Sequence, residues 1–248
     1  MKYVLANWKM YPTVDEAVAL LGAIQVGLDE RTRGGRTPPQ VIICPPVVAL
    51  VALRAMTNDQ VVALGAQTCH WESEGPYTGE ISPRMLRGFV EYVMVGHSER
   101  RAAGETDEQV SRKVAAVADA GLVPILFVGE DSHDGDAIER TEQRLRRGLS
   151  RLDAGSRRIL VVYEPAWAIG AEAAAPAEHV GEVGDHIKTG LRALGARRPE
   201  VIYGGTVGEE NIDDFAQLAM LDGVGATRAS LDVERLLKIV DRVWLAWR

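Results

Sequence analysis

The sequence predicts a single α/β domain over residues 1–248: a closed barrel of eight parallel strands. Three observations lead there. Eight short β-branched runs recur along the chain, amphipathic stretches separate them, and the first six runs are apolar almost without interruption. Alternation of strand and helix builds parallel βαβ units. Strands buried on both faces lose the in–out alternation of a half-exposed sheet. Eight such units in 248 residues favour a closed barrel over an open sheet.

The predicted strands are Tyr3–Trp8, Gln40–Cys44, Val61–Gln67, Tyr92–Val95, Val123–Val128, Ile159–Tyr163, Val201–Gly204 and Asp222–Ala226. The last reads DGVGA and has little β propensity of its own. Between the first two, Val14, Ala17, Val18, Leu21, Ile24 and Leu28 share one face of a helix over Val14–Leu28. Thr106 is placed to cap a helix through Val110, Val114 and Val117, with Gly121 as its stop. Arg140–Leu152, Glu178–Leu194 and Val233–Trp247 read as further helices. The Gly- and Pro-rich stretch 31–40 reads as a surface loop.

Composition narrows the function. Lys and Arg number 28 against 35 Asp and Glu, a net charge of -7. That balance argues against nucleic acid and anionic membranes, which bind through excess positive charge. No run approaches the roughly 18 apolar residues of a membrane span. The opening MKYVLANWKM is broken by Lys9 too early for a signal peptide. Cys44 and Cys69 lack CxxC or His spacing, so no metal site is expected. Two reduced, partly buried thiols in a cytoplasmic protein is the reading.

Barrel chemistry gathers at the C-terminal ends of the strands. Strand one ends in Asn7-Trp8-Lys9; such a Lys also reads as merely exposed. Strand four ends in Gly96-His97-Ser98-Glu99-Arg100-Arg101, and a lone His there also serves as a helix cap. The helix start that follows would disfavour a protonated His97 through its dipole. Strand six ends in Tyr163-Glu164-Pro165 and then an apolar loop, which would desolvate the carboxylate and exclude water. Strands seven and eight are followed by Gly204-Gly205-Thr206 and Gly225-Ala226-Thr227-Arg228. Gly-rich turns entering helices present N–H groups to an anion. Without a dinucleotide fingerprint or a metal-ligand cluster, these are parts for proton transfer beside a carbonyl of a phosphorylated substrate, with no cofactor.

Asn7-Trp8-Lys9-Met10, Gly96-His97-Ser98-Glu99-Arg100-Arg101, Tyr163-Glu164-Pro165-Ala166-Trp167-Ala168-Ile169-Gly170 and Tyr203-Gly204-Gly205 resemble signature segments of the triose-phosphate isomerase family. So do Gly79-Glu80-Ile81-Ser82-Pro83 and Gly104-Glu105-Thr106-Asp107, and the similarity runs the length of the chain. The resemblance implies a TIM barrel that interconverts dihydroxyacetone phosphate and glyceraldehyde 3-phosphate in glycolysis and gluconeogenesis. It implies Glu164 as base, His97 as neutral electrophile and Lys9 as the offset to charge on the enediolate and the phosphate. Asn7 would hold the substrate oxygen and Glu99 would orient Lys9. The segment Pro165–Pro176 would be a lid with the Gly170 N–H on the phosphate, joined by Gly204, Gly205, Thr206, Thr227 and Arg228. The family's pairing of Glu and His is a well-known illustration of tuned acid–base catalysis, so these roles are inherited from the resemblance.

The chain departs from the family at several points. The lid tip reads Ala171-Glu172-Ala173-Ala174-Ala175-Pro176, one residue short and without the usual Lys. Thr227-Arg228 replaces a Gly-Gly, Thr206 a Ser, Phe127 a Cys and Thr68 an Asn. A β-branched Thr227 resists positive φ, so either that loop takes a different path or Thr227 is strained. A paralogue acting on another small sugar phosphate, such as a four-carbon erythrulose phosphate, is the alternative. A non-catalytic barrel that binds a sugar phosphate is a third reading. The segment 69–83 resembles the family's interdigitating loop and implies a homodimer, with Trp71 and Tyr77 as anchors.

Overall fold

Strand registers close the sheet in chain order. In the computed structural model, which describes residues 2–33, 37–169 and 174–246, eight parallel strands form one closed barrel. They are β1 (Tyr3–Asn7), β2 (Gln40–Cys44), β3 (Val62–Ala66), β4 (Tyr92–Val95), β5 (Val123–Val128), β6 (Leu160–Tyr163), β7 (Glu200–Tyr203) and β8 (Gly223–Gly225). Closure comes from β1 beside β8, with Tyr3 opposite Gly223 and Leu5 opposite Gly225. Each strand lies within two residues of its predicted span at both ends. The low propensity of β8 has a packing cause. A Cβ on Gly223 would stand 2.5 Å from the Tyr3 carbonyl oxygen, so the closing seam excludes a side chain there.

Two apolar layers explain the unbroken strand runs. Tyr3, Leu5, Ile42, Ala63, Met94, Phe127, Val162 and Ile202 fill the barrel. Val4, Ala6, Val41, Ile43, Leu64, Val93, Val95, Leu126 and Val161 alternate with them and face the helices. Period-2 side-chain direction thus places apolar side chains on both faces of β1 to β7.

The helices are α1 (Val14–Thr32), α2 (Leu50–Met56), α3 (Pro83–Leu86), α4 (Ser98–Ala102), α5 (Asp107–Asp119), α6 (Ala137–Gly148), α7 (Ala177–Ala193), α8 (Ile212–Ala216) and α9 (Val233–Ala246). Thr13 and Glu16 form a capping box on α1, and Thr106 and Gln109 another on α5. At the far end of α5 the Leu122 N–H reaches the Val117 carbonyl across Gly121. α1 runs to Thr32, past the predicted Leu28. α6 starts three residues before the predicted Arg140 and ends at Gly148, with Leu149 as its C-cap. The Trp247 end of the last predicted helix lies outside the described residues. α2, α3 and α8 are short, so the connections after β2, β3 and β7 differ from the longer helices predicted between strands, whereas after β4 the short α4 precedes the predicted helix α5.

Candidate active site

The strand ends bring the polar residues together at one mouth of the barrel. Lys9, His97, Glu99, Glu164, Gly204, Gly205, Thr206, Thr227 and Arg228 line one cavity of about 340 Å³. Asn7, the last residue of β1, stands just behind it, with its amide nitrogen 3.4 Å from His97 Nε2. Gly170 and the lid tip Ala171-Glu172-Ala173 lie outside the described residues.

His97 is the N-cap of α4, and its Nδ1 accepts the Glu99 backbone N–H at 3.2 Å. The capping and catalytic readings therefore describe one residue. An accepting Nδ1 carries no proton, so the neutral ring holds its proton on Nε2. That nitrogen lies 3.1 Å from Glu164 Oε1. Burial holds the His97 pKa down to about 4, with help from the Lys9 charge. Burial leads, where the sequence points to the dipole of the following helix. Phe127 packs edge-on against the ring at 5.0 Å between centroids and contributes to that dry environment.

Glu164 follows β6, and its other oxygen accepts the Ser98 N–H at 2.9 Å. It is 5% exposed. Burial pushes its pKa up to about 7, against the lowering effect of the Ser98 hydrogen bonds. A base is most useful when its pKa lies near the working pH. Glu164 also faces an adjoining cavity of about 480 Å³, bounded by Phe127, Gly129 and Ala166.

Lys9 has φ 48°, the one positive φ outside glycine among the described residues. Its N–H donates to Asn7 Oδ1 at 3.0 Å, and its carbonyl accepts Gln67 Nε2 at 2.7 Å. Its Nζ donates to Glu99 Oε1 at 2.6 Å. Two side chains thus clamp the Lys9 peptide in the left-handed region, which costs a non-glycine residue roughly 1–2 kcal/mol. Gln67 is not legible as a site residue in the sequence, because its position at the end of β3 gives no sign of what it reaches.

After β7 the chain does not enter a helix at once. Gly204-Gly205-Thr206 is an extended loop, and α8 begins only at Ile212. Thr206 Oγ1 donates to the Ala168 carbonyl at 2.9 Å, tying this loop to the segment after Glu164. Thr227 has no positive φ, so the β8 loop takes its own path without strain there. It leads directly into a 3₁₀ turn, Ala229–Leu231.

Glu130 is a second residue the sequence does not reveal. Fully buried, its Oε1 accepts Trp167 Nε1 at 2.9 Å and the Tyr163 hydroxyl at 2.9 Å, and lies 3.1 Å from His179 Nε2. It anchors the 3₁₀ turn Ala166–Ala168 that begins the expected lid. Cys44 and Cys69 are free and buried, and burial pushes Cys69 up to about 12.

Fold and site define a parallel βα-barrel with an acid–base pocket at its C-terminal mouth. Residues 2–243 match the family Triosephosphate isomerase, and the chain belongs to that family. It is 37% identical to the triosephosphate isomerase of Dehalococcoides mccartyi (strain ATCC BAA-2100 / JCM 16839 / KCTC 5957 / BAV1) over 247 residues, covering 95% of this chain and 94% of that one. The enzyme of Synechococcus sp. (strain JA-3-3Ab) is 38% identical, covering 96% and 93%. The crystal structure of triosephosphate isomerase from Bartonella henselae superposes with a TM-score of 0.84 at 29% identity, covering 97% and 98% of the two chains.

Proposed function

We propose that this barrel interconverts dihydroxyacetone phosphate and glyceraldehyde 3-phosphate through an enediolate. One observation carries the reading: a carboxylate tuned to about 7 and a neutral imidazole with its proton on Nε2 meet at 3.1 Å in a cavity that also holds Lys9. Glu164 takes the proton from the carbon beside the carbonyl, and the electron pair moves onto the carbonyl oxygen. His97 Nε2–H and the Asn7 amide donate to that oxygen, and Lys9, steered by Glu99, offsets its charge. Glu164 then returns the proton to the neighbouring carbon. Gly204, Gly205, Thr206 and Thr227 line the part of the cavity offered to the phosphate. The names of the relatives favour the triose over the four-carbon alternative.

Assaying Glu164→Gln against wild type on both triose phosphates tests this. The variant should fold normally and lose several orders of magnitude of turnover, the scale of a removed general base. Turnover within about tenfold of wild type would take Glu164 out of the role.

A homodimer through residues 69–83 fits the same reading, in one continuous domain over 1–248. Met10, Tyr11, Val47, Val48, Val51, Tyr77 and Met85 are exposed apolar side chains on the segments after β1, β2 and β3, Val51 on α2 and Met85 on α3. A second copy would bury them together with the loop that carries Lys9. Trp71 is already half-buried, stacked on His70 at 4.1 Å with the Arg112 guanidinium 4.6 Å over its ring, so Tyr77 is the better anchor. A monomer by light scattering at micromolar concentration overturns the dimer. A place in glycolysis follows from the family, and residence in the cytoplasm accords with two free buried thiols. No helix among the described residues is long and apolar enough to cross a membrane.

A further inference from the structure

Arg228 holds an unclaimed charge at the rim of the catalytic cavity. It lines the cavity together with Thr227, Gly204 and Gly205. Its side chain is exposed, and among the described residues its guanidinium makes no hydrogen bond or ion pair. The other cation of the cavity already has a carboxylate partner, since Lys9 Nζ sits 2.6 Å from Glu99. Glu164 adds a second carboxylate when ionised. Without Arg228 the cavity wall would therefore present net negative charge, on a chain whose overall charge is -7. A phosphate dianion would have to enter against that field.

The backbone beneath Arg228 is fixed while its side chain is free. The Ala226 N–H donates to the Leu5 carbonyl at 2.8 Å, joining the loop to β1. The Thr227 carbonyl accepts the Ser230 hydroxyl at 2.6 Å, and the Arg228 carbonyl accepts the Leu231 N–H at 3.3 Å. Both carbonyls are thus turned into the 3₁₀ turn. Arg228 has φ -68° and ψ -40°, an unstrained conformation for any side chain.

We propose that Arg228 is a second cationic ligand of the substrate phosphate, beside Lys9, and strengthens the preference of this site for a dianionic group. The inference rests on the triose-phosphate reading of the cavity. A guanidinium suits the task because it stays charged at all working pH values and can grip two phosphate oxygens at once. The positive charge of the phosphate subsite then comes from the barrel rim.

Titrating inorganic phosphate into the full-length protein by calorimetry, at low and at raised salt, reads the contact without turnover. Arg228→Ala should weaken phosphate binding about tenfold and flatten its salt dependence. Arg228→Lys should recover part of the affinity, because the charge returns without the two-pronged geometry. In turnover, KM for glyceraldehyde 3-phosphate should rise about tenfold in Arg228→Ala while kcat changes less. Unchanged phosphate affinity and salt dependence in Arg228→Ala overturn the assignment. If wild type binds phosphate through Arg228 but isomerises no triose phosphate, the anion site stands and the isomerase reading falls.

Discussion

Gly129 lies so close beneath Glu164 that a Cβ on it would stand 2.1 Å from the Glu164 carbonyl oxygen and 2.6 Å from its carbonyl carbon. The end of β5 and the start of the loop after β6 are joined here, because the Glu164 N–H also donates to the Val128 carbonyl at 2.7 Å. A methyl group at residue 129 has only backbone to push against, and that backbone carries the base. Gly129→Ala should therefore shift Glu164, with an overpacking cost of about 1–3 kcal/mol. A displacement of about 1 Å in a catalytic group is worth about a hundredfold in rate. Gly135→Ala is the matched control, because a Cβ there meets nothing within 4 Å. If kcat of Gly129→Ala stays within about twofold of that control, the close packing does not position the base.

The two central groups titrate in opposite directions from their ordinary values. Glu164 is raised from 4.5 to about 7 in the fold, so its contribution to stability is fully present below 4.5 and is lost as pH rises through about 7. Gln mimics the protonated acid, so Glu164→Gln should gain thermal stability over wild type as pH goes from about 5 to 8. His97 is lowered from 6.5 to about 4, so its contribution is present above 6.5 and is lost as pH falls towards 4. The acid limb of kcat/KM should then follow Glu164, with half-maximal activity near pH 7. ¹⁵N NMR should show His97 neutral, with its proton on Nε2, down to about pH 4. Protonation of His97 around its ordinary value of 6.5 would contradict the dry environment described for it.

Much of this architecture can be read from the sequence because strand ends are local. β1, β4 and β6 are unbroken apolar runs, and Asn7, His97 and Glu164 fall at or just beyond their last residues. Closure of the barrel then makes neighbours of residues as distant as Lys9 and Glu99. The closing strand β8 is faint in the sequence because its glycines answer to Tyr3 across the seam, and no local propensity records that. α2, α3, α4 and α8 escape notice because helices of four to seven residues draw little on helical periodicity. Gln67, Gly129 and Glu130 are silent for a further reason: each acts on a residue from another strand end. Tertiary approach alone defines what they do.

Gln67 offers the sharpest test of such a silent residue. Its amide nitrogen donates to the carbonyls of Lys9, at 2.7 Å, and Cys44, at 3.0 Å. The Cys44 carbonyl also receives the Trp8 N–H at 3.0 Å, so it keeps a donor when Gln67 is replaced. The Lys9 carbonyl has no such second donor among the described residues. Gln67→Leu should therefore cost about 1–3 kcal/mol for one stranded acceptor, a fall of several degrees in Tm. It should also release Lys9 from its left-handed backbone and let the ammonium drift from its place over the cavity. The expected loss in kcat/KM is about tenfold or more. Loss of stability alone would look similar in a single variant, so the decisive measurement is a double-mutant cycle with Lys9→Met. If Gln67 works by placing Lys9, then once the ammonium is gone Gln67→Leu has little further activity to remove, and the two losses in kcat/KM fall well short of adding. Additive losses would show that Gln67 supports the fold without positioning Lys9.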